Sequence, residues 1–183
     1  MIGEIRDAET ADMAIKSSLT GHLVLSTLHT TTSAGSATRL INMGVEPFLL
    51  SSTLIGVLTQ RLVRVLCPKC REKAEMTAGL REKYGIKKDV VIYKTKGCSA
   101  CQNTGYKGRI ALCEYLQVTS KMKQLIAMSA SETSLKREAR TLGMRTLRED
   151  GIIKIEKGIT TLEEVLKTTN ADESLSDKKN SNH

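Results

Sequence analysis

Four of the five cysteines fall in two Cys-x-x-Cys pairs, Cys67-Pro68-Lys69-Cys70 and Cys98-Ser99-Ala100-Cys101. Such a turn places two thiolates on one side of a tight knuckle, and two knuckles complete a tetrahedral thiolate site for Zn²⁺. The 27 residues between the pairs exceed the usual ribbon spacing, but they leave room for a helix and a strand that bring the ends together. Pro68 stiffens the first knuckle, and Gly97 and Gly105 flank the second. Lys69, Arg71 and Lys96 lie close by in sequence and favour deprotonated sulfur. Because protein fills all four positions, the ion is structural and leaves no open place for substrate. The same spacing also admits unrelated reduced cysteines or a redox pair in each knuckle, although a redox motif has no need to occur twice. Cys113, within the alternating run Ile110–Leu116, reads as a packed or half-exposed thiol.

The chain has 183 residues, of which 40% are apolar, 26% charged and 3% aromatic. This length allows one or two domains with a real core and excludes a disulfide miniprotein or a low-complexity chain. No apolar run approaches the ~20 residues of a membrane-spanning helix. The amino terminus lacks the basic and apolar regions of a signal peptide, so a cytosolic location is expected. Net charge is +8, from 28 Lys and Arg against 20 Asp and Glu. The first sixty residues hold three basic and five acidic side chains, which places the positive excess beyond Gln60. That excess invites a polyanion, yet one Phe, four Tyr and no Trp provide few platforms for stacking nucleic-acid bases.

The elements that must position these residues read as α/β. Met1-Ile2 resembles the end of a strand. Asp7 caps a helix through Leu19 that stops at Gly21, and His22–His29 suits a buried parallel strand because it is apolar on both faces. Thr31, Thr32 or Ser33 caps a helix to Met43, ended by Gly44. Glu46-Pro47 opens a longer helix, with Leu50, Leu54, Leu58, Leu62 and Leu66 at helical spacing. Val90–Tyr93 and Ile110–Val118 read as strands. Thr119 or Ser120 caps a helix through Met128, Ser131 begins another to Leu142, and a capping-box pattern at Thr160/Thr161 opens a last one to Lys167. Composition divides the chain at 1–66, 67–109, 110–169 and 170–183, the last a polar tail expected to be disordered.

The run Gly3-Glu4-Ile5-Arg6-Asp7, the segment Thr20–Thr30, Arg39-Leu40 and Met43-Gly44 resemble the ATPases that drive type II secretion and type IV pilus assembly. Gln60–Arg64, the cysteine knuckles, Gly105–Arg109, Met144-Arg145, Asp150-Gly151 and Gly158–Thr160 extend the resemblance over about residues 1–168. The knuckles point to the assembly branch rather than the retraction motors. These relatives are hexameric P-loop ATPases, so the resemblance implies an incomplete RecA-like core with a parallel sheet, over 1–66. A zinc-binding subdomain over 67–109 and a helical part over 110–169 follow it. It further implies that Gly3-Glu4 ends the Walker B strand, with Glu4 polarising the attacking water and the Mg²⁺ shell beside ATP. Gly21–Thr30 corresponds to the histidine box, with His22, Thr27, Thr30 and His29.

Seven strand steps of ~3.3 Å set His22 and His29 about 23 Å apart, so both cannot touch one phosphate. Ligands gather at the carboxyl ends of parallel strands, which makes His29 the γ-phosphate sensor, together with Gly3. His22 then shapes a turn or a subunit contact. Apart from the resemblance, both histidines read as structural and Glu4 as a surface turn residue.

The phosphate loop ending Gly-Lys-Ser/Thr does not occur in the sequence, nor do the family's acidic box and phosphate-facing arginines. The chain is therefore expected to be the carboxy-terminal part of a motor, inactive toward ATP by itself. Leu23-Val24-Leu25 are expected to be left exposed to association. Expected partners are a homo-hexamer or a ring with a full-length homologue, and the inner-membrane platform protein of the machine. The expected location is cytoplasmic, peripheral to the inner membrane. Two other readings are a zinc-ribbon nucleic-acid binder, made improbable by the lack of aromatics and of a basic recognition helix, and a non-catalytic subunit that enters a complete homologue's ring.

Overall fold

A computed structural model describes residues 1–169; the expectation of a disordered tail over 170–183 lies outside them. The described residues form two compact units. One contains Met1–Thr59 and Glu114–Met144, and the other contains Gln60–Cys113 and the chain from Arg145 onward. Each unit is thus assembled from two stretches that are distant in sequence.

The first unit is mainly helical. Helix α1 spans Ala8–Leu19, and the Asp7 side chain at its N-cap accepts from the Thr10 N–H at 2.8 Å. Helix α2 (Ser33–Asn42) starts at Thr32, whose hydroxyl accepts from the Gly35 N–H. After α2, Gly44 turns the chain with φ +97°, a left-handed value that suits glycine. Helix α3 covers Pro47–Thr53, with Pro in its first turn. Helices α5 (Ser120–Ala127) and α6 (Glu132–Thr141) are capped by Thr119 and Ser131. Their inward residues Met122, Ile126, Leu135 and Ala139 join Ala11, Ala34, Leu40, Leu50 and Leu116 in one apolar core.

Two sequence expectations change between Gly21 and Leu66. The run from Glu46 is not one long helix, because α3 ends at Thr53 and Gly56–Leu66 is strand β1. A spacing of four is also a multiple of two, so Leu58 and Leu62 share one face of a strand as readily as of a helix. The β-branched residues Val57, Thr59, Val63 and Val65 occupy the alternate face and favour the strand. Leu58 and Leu62 are exposed, whereas Val63 is buried.

The second change concerns His22–His29, which is extended but neither a regular strand nor buried. Leu23 is 71% and Leu25 58% exposed. The segment is bound to the amino terminus in the parallel sense by Ile2 N–H to Leu25 C=O at 2.9 Å and Ile5 N–H to Thr27 C=O at 3.0 Å. Two bonds to one neighbour do not make a ladder, so no regular parallel sheet forms among the described residues. The regular sheets pair β1 with β4 (Tyr106–Gln117), and β2 (Glu72–Ala74) with β3 (Ile92–Lys94) in antiparallel register.

The second unit carries β2, helix α4 (Ala78–Tyr84), β3 and a 3₁₀ turn at Ser99–Cys101, followed after Arg145 by α7 (Leu147–Glu156) and α8 (Leu162–Thr168). The sequence between the knuckles therefore does contain a helix and strands. Its core joins Val63, Ile86, Ile92, Leu112, Leu147, Ile152, Ile155 and Val165. Helix α7 was not anticipated from periodicity, since Gly151 lies inside it and Arg148 is buried along with its apolar residues. The legible signal was Thr146-x-x-Glu149, a capping box in which each residue accepts from the other's backbone N–H.

Candidate metal centre and carboxylate site

Within the second unit the two knuckles meet. Cys67 Sγ lies 4.0 Å from Cys98 Sγ, and Cys70 and Cys98 each lie 3.8 Å from Cys101. All four sulfurs fall within 4.8 Å of one another. A metal–sulfur bond of ~2.3 Å at tetrahedral angles sets sulfurs about 3.8 Å apart, so the four thiols stand where a thiolate shell needs them. They are free thiols, separated by far more than the ~2.05 Å of a disulfide. Cys113 stands outside the cluster, half-buried.

Local backbone geometry builds each knuckle. The Cys70 and Arg71 N–H groups both donate to the Cys67 carbonyl, and the Cys101 and Asn103 N–H groups to the Cys98 carbonyl. Gln102 and Asn103 both adopt positive φ to close the second turn. Gly105 is required there, because at φ +75° a Cβ would lie 2.4 Å from Thr95 Cβ. The first knuckle is tied to the second by the Cys67 N–H donating to the Gly105 carbonyl at 2.9 Å.

Of the expected basic neighbours, Lys96 interacts with Cys70 through its charge. Lys96 is engaged by Glu72 at 2.7 Å. Arg71 donates to the Gly158 carbonyl at 2.7 Å and lies over the Tyr93 ring at 4.5 Å. Backbone amides serve the sulfur as well: the Cys98 and Gly105 N–H groups donate to Cys101 Sγ at 3.3 and 3.2 Å. Burial raises the Cys101 thiol, but these two N–H groups and the hydrogen bonds of the Cys70 and Cys98 thiols together outweigh it and bring it down to about 6. Burial pushes Cys70 up to about 12, with the neighbouring thiols adding to it. Cys101 therefore ionises before Cys70, and a bound cation would stabilise the thiolate form of all four.

In the first unit, Glu4 and His29 come together. Glu4 Oε1 is 2.9 Å from His29 Nε2, and Oε2 is 2.6 Å from Arg6 Nη2. The Glu4 side chain is 20% exposed, against 75% for Arg6 and 87% for His29. Oε1 is shielded from solvent and faces the His29 ring, with no other donor on it. The Arg6 hydrogen bond holds the Glu4 carboxyl below its ordinary range; slight desolvation opposes it, and the charges of Arg6 and His29 assist.

Gly3 and Thr27 meet directly, with the Thr27 hydroxyl donating to the Gly3 carbonyl at 2.6 Å. Thr30 Oγ1 is 2.8 Å from Ser36 Oγ on α2. His22 lies elsewhere, in the turn after α1, with Nδ1 3.1 Å from Thr20 Oγ1.

Two ionic groups escaped the sequence reading. Glu114, 4% exposed, accepts from the Ser33 N–H at 2.8 Å and the Ser33 hydroxyl at 2.6 Å, at the start of α2. Glu164 on α8 receives Arg64 Nε at 2.9 Å and Nη2 at 2.5 Å, with Arg64 stacked 4.1 Å over Tyr106. Their partners lie 81 and 100 residues away in sequence, and no local spacing marks such pairs.

The sequence model of the "Type II/IV secretion system protein" family matches residues 1–167. The chain is 47% identical over 171 residues to "Type II secretion system ATPase E" of Vibrio cholerae serotype O1, covering 92% of this chain and 34% of that protein. It is 49% identical over 173 residues to "Type IV pilus assembly ATPase PilB" of Thermus thermophilus, covering 92% of this chain and 20% of that protein. The chain thus spans about a third or less of the length of these curated relatives. Among solved structures, the pilus retraction motor PilT with bound ADP superposes with a TM-score of 0.63 at 22% identity, over 96% of this chain and 40% of that one. The Legionella pneumophila ATPase DotB superposes with a TM-score of 0.58 at 24% identity, over 90% of this chain and 36% of that one.

Proposed function

Because the chain belongs to the type II/IV secretion system protein family, we propose that it is the carboxy-terminal part of a hexameric motor ATPase that powers type II secretion or type IV pilus assembly. In this reading, 1–66 are the carboxy-terminal half of a RecA-like core, 67–109 a zinc-binding subdomain and 110–169 a helical subdomain. The observation that carries it is the meeting of Glu4 and His29 at 2.9 Å, across segments hydrogen-bonded by Ile2 and Ile5. The Arg6 hydrogen bond favours the ionised form of Glu4, the form that can accept a hydrogen bond from an attacking water. His29 adjoins it and can register a terminal phosphate. Gly3 and Thr27 fix the turn from which Glu4 projects. ATP supplies the transferable phosphoryl group, and Mg²⁺ spreads its charge.

Cys67, Cys70, Cys98 and Cys101 would hold Zn²⁺, and four sulfur ligands give it a structural role. The motor acts at the cytoplasmic face of the inner membrane, where its domain motions push a platform protein. Among the described residues no helix is long and apolar enough to cross a membrane.

Phosphoryl transfer is mainly a matter of positioning, and the sequence holds no phosphate loop. The 183-residue chain by itself is therefore expected not to turn over ATP. Residues 1–169 grafted in place of the matching segment of the Vibrio cholerae relative should restore turnover to that chimera. Glu4→Gln should then lower its kcat by about 10²-fold or more. A Glu4→Gln chimera that works like its parent refutes the assignment of Glu4. So does brisk turnover by the lone chain that the same substitution leaves intact.

A further inference from the structure

Arg6 lies two residues beyond Glu4, is largely exposed, and makes its charged contact with that carboxylate. An exposed pair of this kind contributes little to stability, so its geometry rather than its energy is informative. The guanidinium takes Oε2 at 2.6 Å and leaves Oε1 facing His29, shielded and with no other donor on it. The two oxygens of one carboxylate are thereby divided. A glutamate free to rotate would expose both oxygens to water and interchange them. One anchored through Oε2 keeps Oε1 in a single orientation, against His29.

We propose that Arg6 is the positioning residue of the site: it anchors Glu4 through Oε2 so that Oε1 is held toward His29, the place where water and terminal phosphate would meet. This rests on the reading of Glu4 as the water-orienting group, and it adds a residue that acts through Glu4. A guanidinium suits the task because it is planar and permanently charged, so the anchor does not titrate with the carboxylate it holds. The arrangement also keeps Glu4 ionised toward acidic pH, since protonation must break the Arg6 contact.

Two measurements test this. In the 183-residue chain, carbon-detected NMR should follow the Glu4 carboxyl through its titration. Arg6→Ala is expected to move the midpoint to higher pH, and Arg6→Lys to restore part of the shift. In the chimera, Arg6→Ala is expected to lower kcat by about tenfold with KM for ATP unchanged, and to move the acid limb of the kcat profile to higher pH. An unmoved midpoint together with unchanged kcat in Arg6→Ala, while Glu4→Gln abolishes turnover, overturns the role of Arg6 and leaves that of Glu4 standing. Retained turnover in Glu4→Gln overturns both.

Discussion

Glu164 is held by Arg64 through two side-chain contacts and by the Arg64 N–H at 3.2 Å. The Arg64 hydrogen bonds lower its pKa, against the opposing effect of burial. A carboxyl depressed in the folded state stabilises the fold above its unfolded value near ~4.3, and that contribution is lost as pH falls through the folded value. Glu164→Gln is expected to cost about 1–2 kcal/mol at neutral pH, less than a fully buried pair because Arg64 is half-exposed. The cost should shrink as the solution becomes more acid than ~4.3, which thermal midpoints measured across pH will show. A pH-independent deficit would mean that packing rather than charge holds α8 in place. At the same scale, Glu4 differs from Glu164 in purpose: its partners are exposed and one of its oxygens faces only the His29 ring.

Two glycines show how helix propensity and packing compete within an element. Gly79 in α4 faces open space, so Gly79→Ala should stabilise by about 0.5–1 kcal/mol through helix propensity and reduced freedom of the unfolded chain. Gly151 in α7 would place a Cβ 2.5 Å from Val165 Cγ1 on α8. The same propensity gain of ~1 kcal/mol there meets an overpacking cost of about 1–3 kcal/mol against a buried valine. Gly151→Ala is therefore expected to lower the denaturant midpoint while Gly79→Ala raises it. Equal stabilisation by both would show that α8 yields freely to α7.

For the molecule as a whole, the division into two units predicts how metal loss propagates. The four thiols belong entirely to the second unit, whereas the core around Leu50, Leu116, Met122, Ile126 and Leu135 belongs to the first. Chelation should abolish hydrogen-exchange protection across 67–109 and leave α1, α2, α5 and α6 protected. Purified protein should contain one Zn²⁺ per chain by elemental analysis. Uniform loss of protection, or protein free of zinc, would count against the structural ion. The exposed Leu23 and Leu25 lie in the first unit, so any self-association through them should survive chelation.

What could be read from the residues alone was whatever depends on near neighbours. Asp7, Thr32, Thr119, Ser131 and Thr161 each cap the helix that follows, because a cap needs only an oxygen three residues from an amide. The cysteine knuckles were legible for the same reason: each is a four-residue turn, and two such turns suit one shared ion. Tertiary structure decided the rest. Leu54 to Leu66 repeat every fourth residue, a period that helix and strand both satisfy, and pairing with β4 chose the strand. Gly151 inside α7 makes sense only beside Val165, and Glu114 and Glu164 find their partners across long stretches of chain. Burial and charge pairing are properties of surfaces brought together, and a linear order of residues does not specify which surfaces meet.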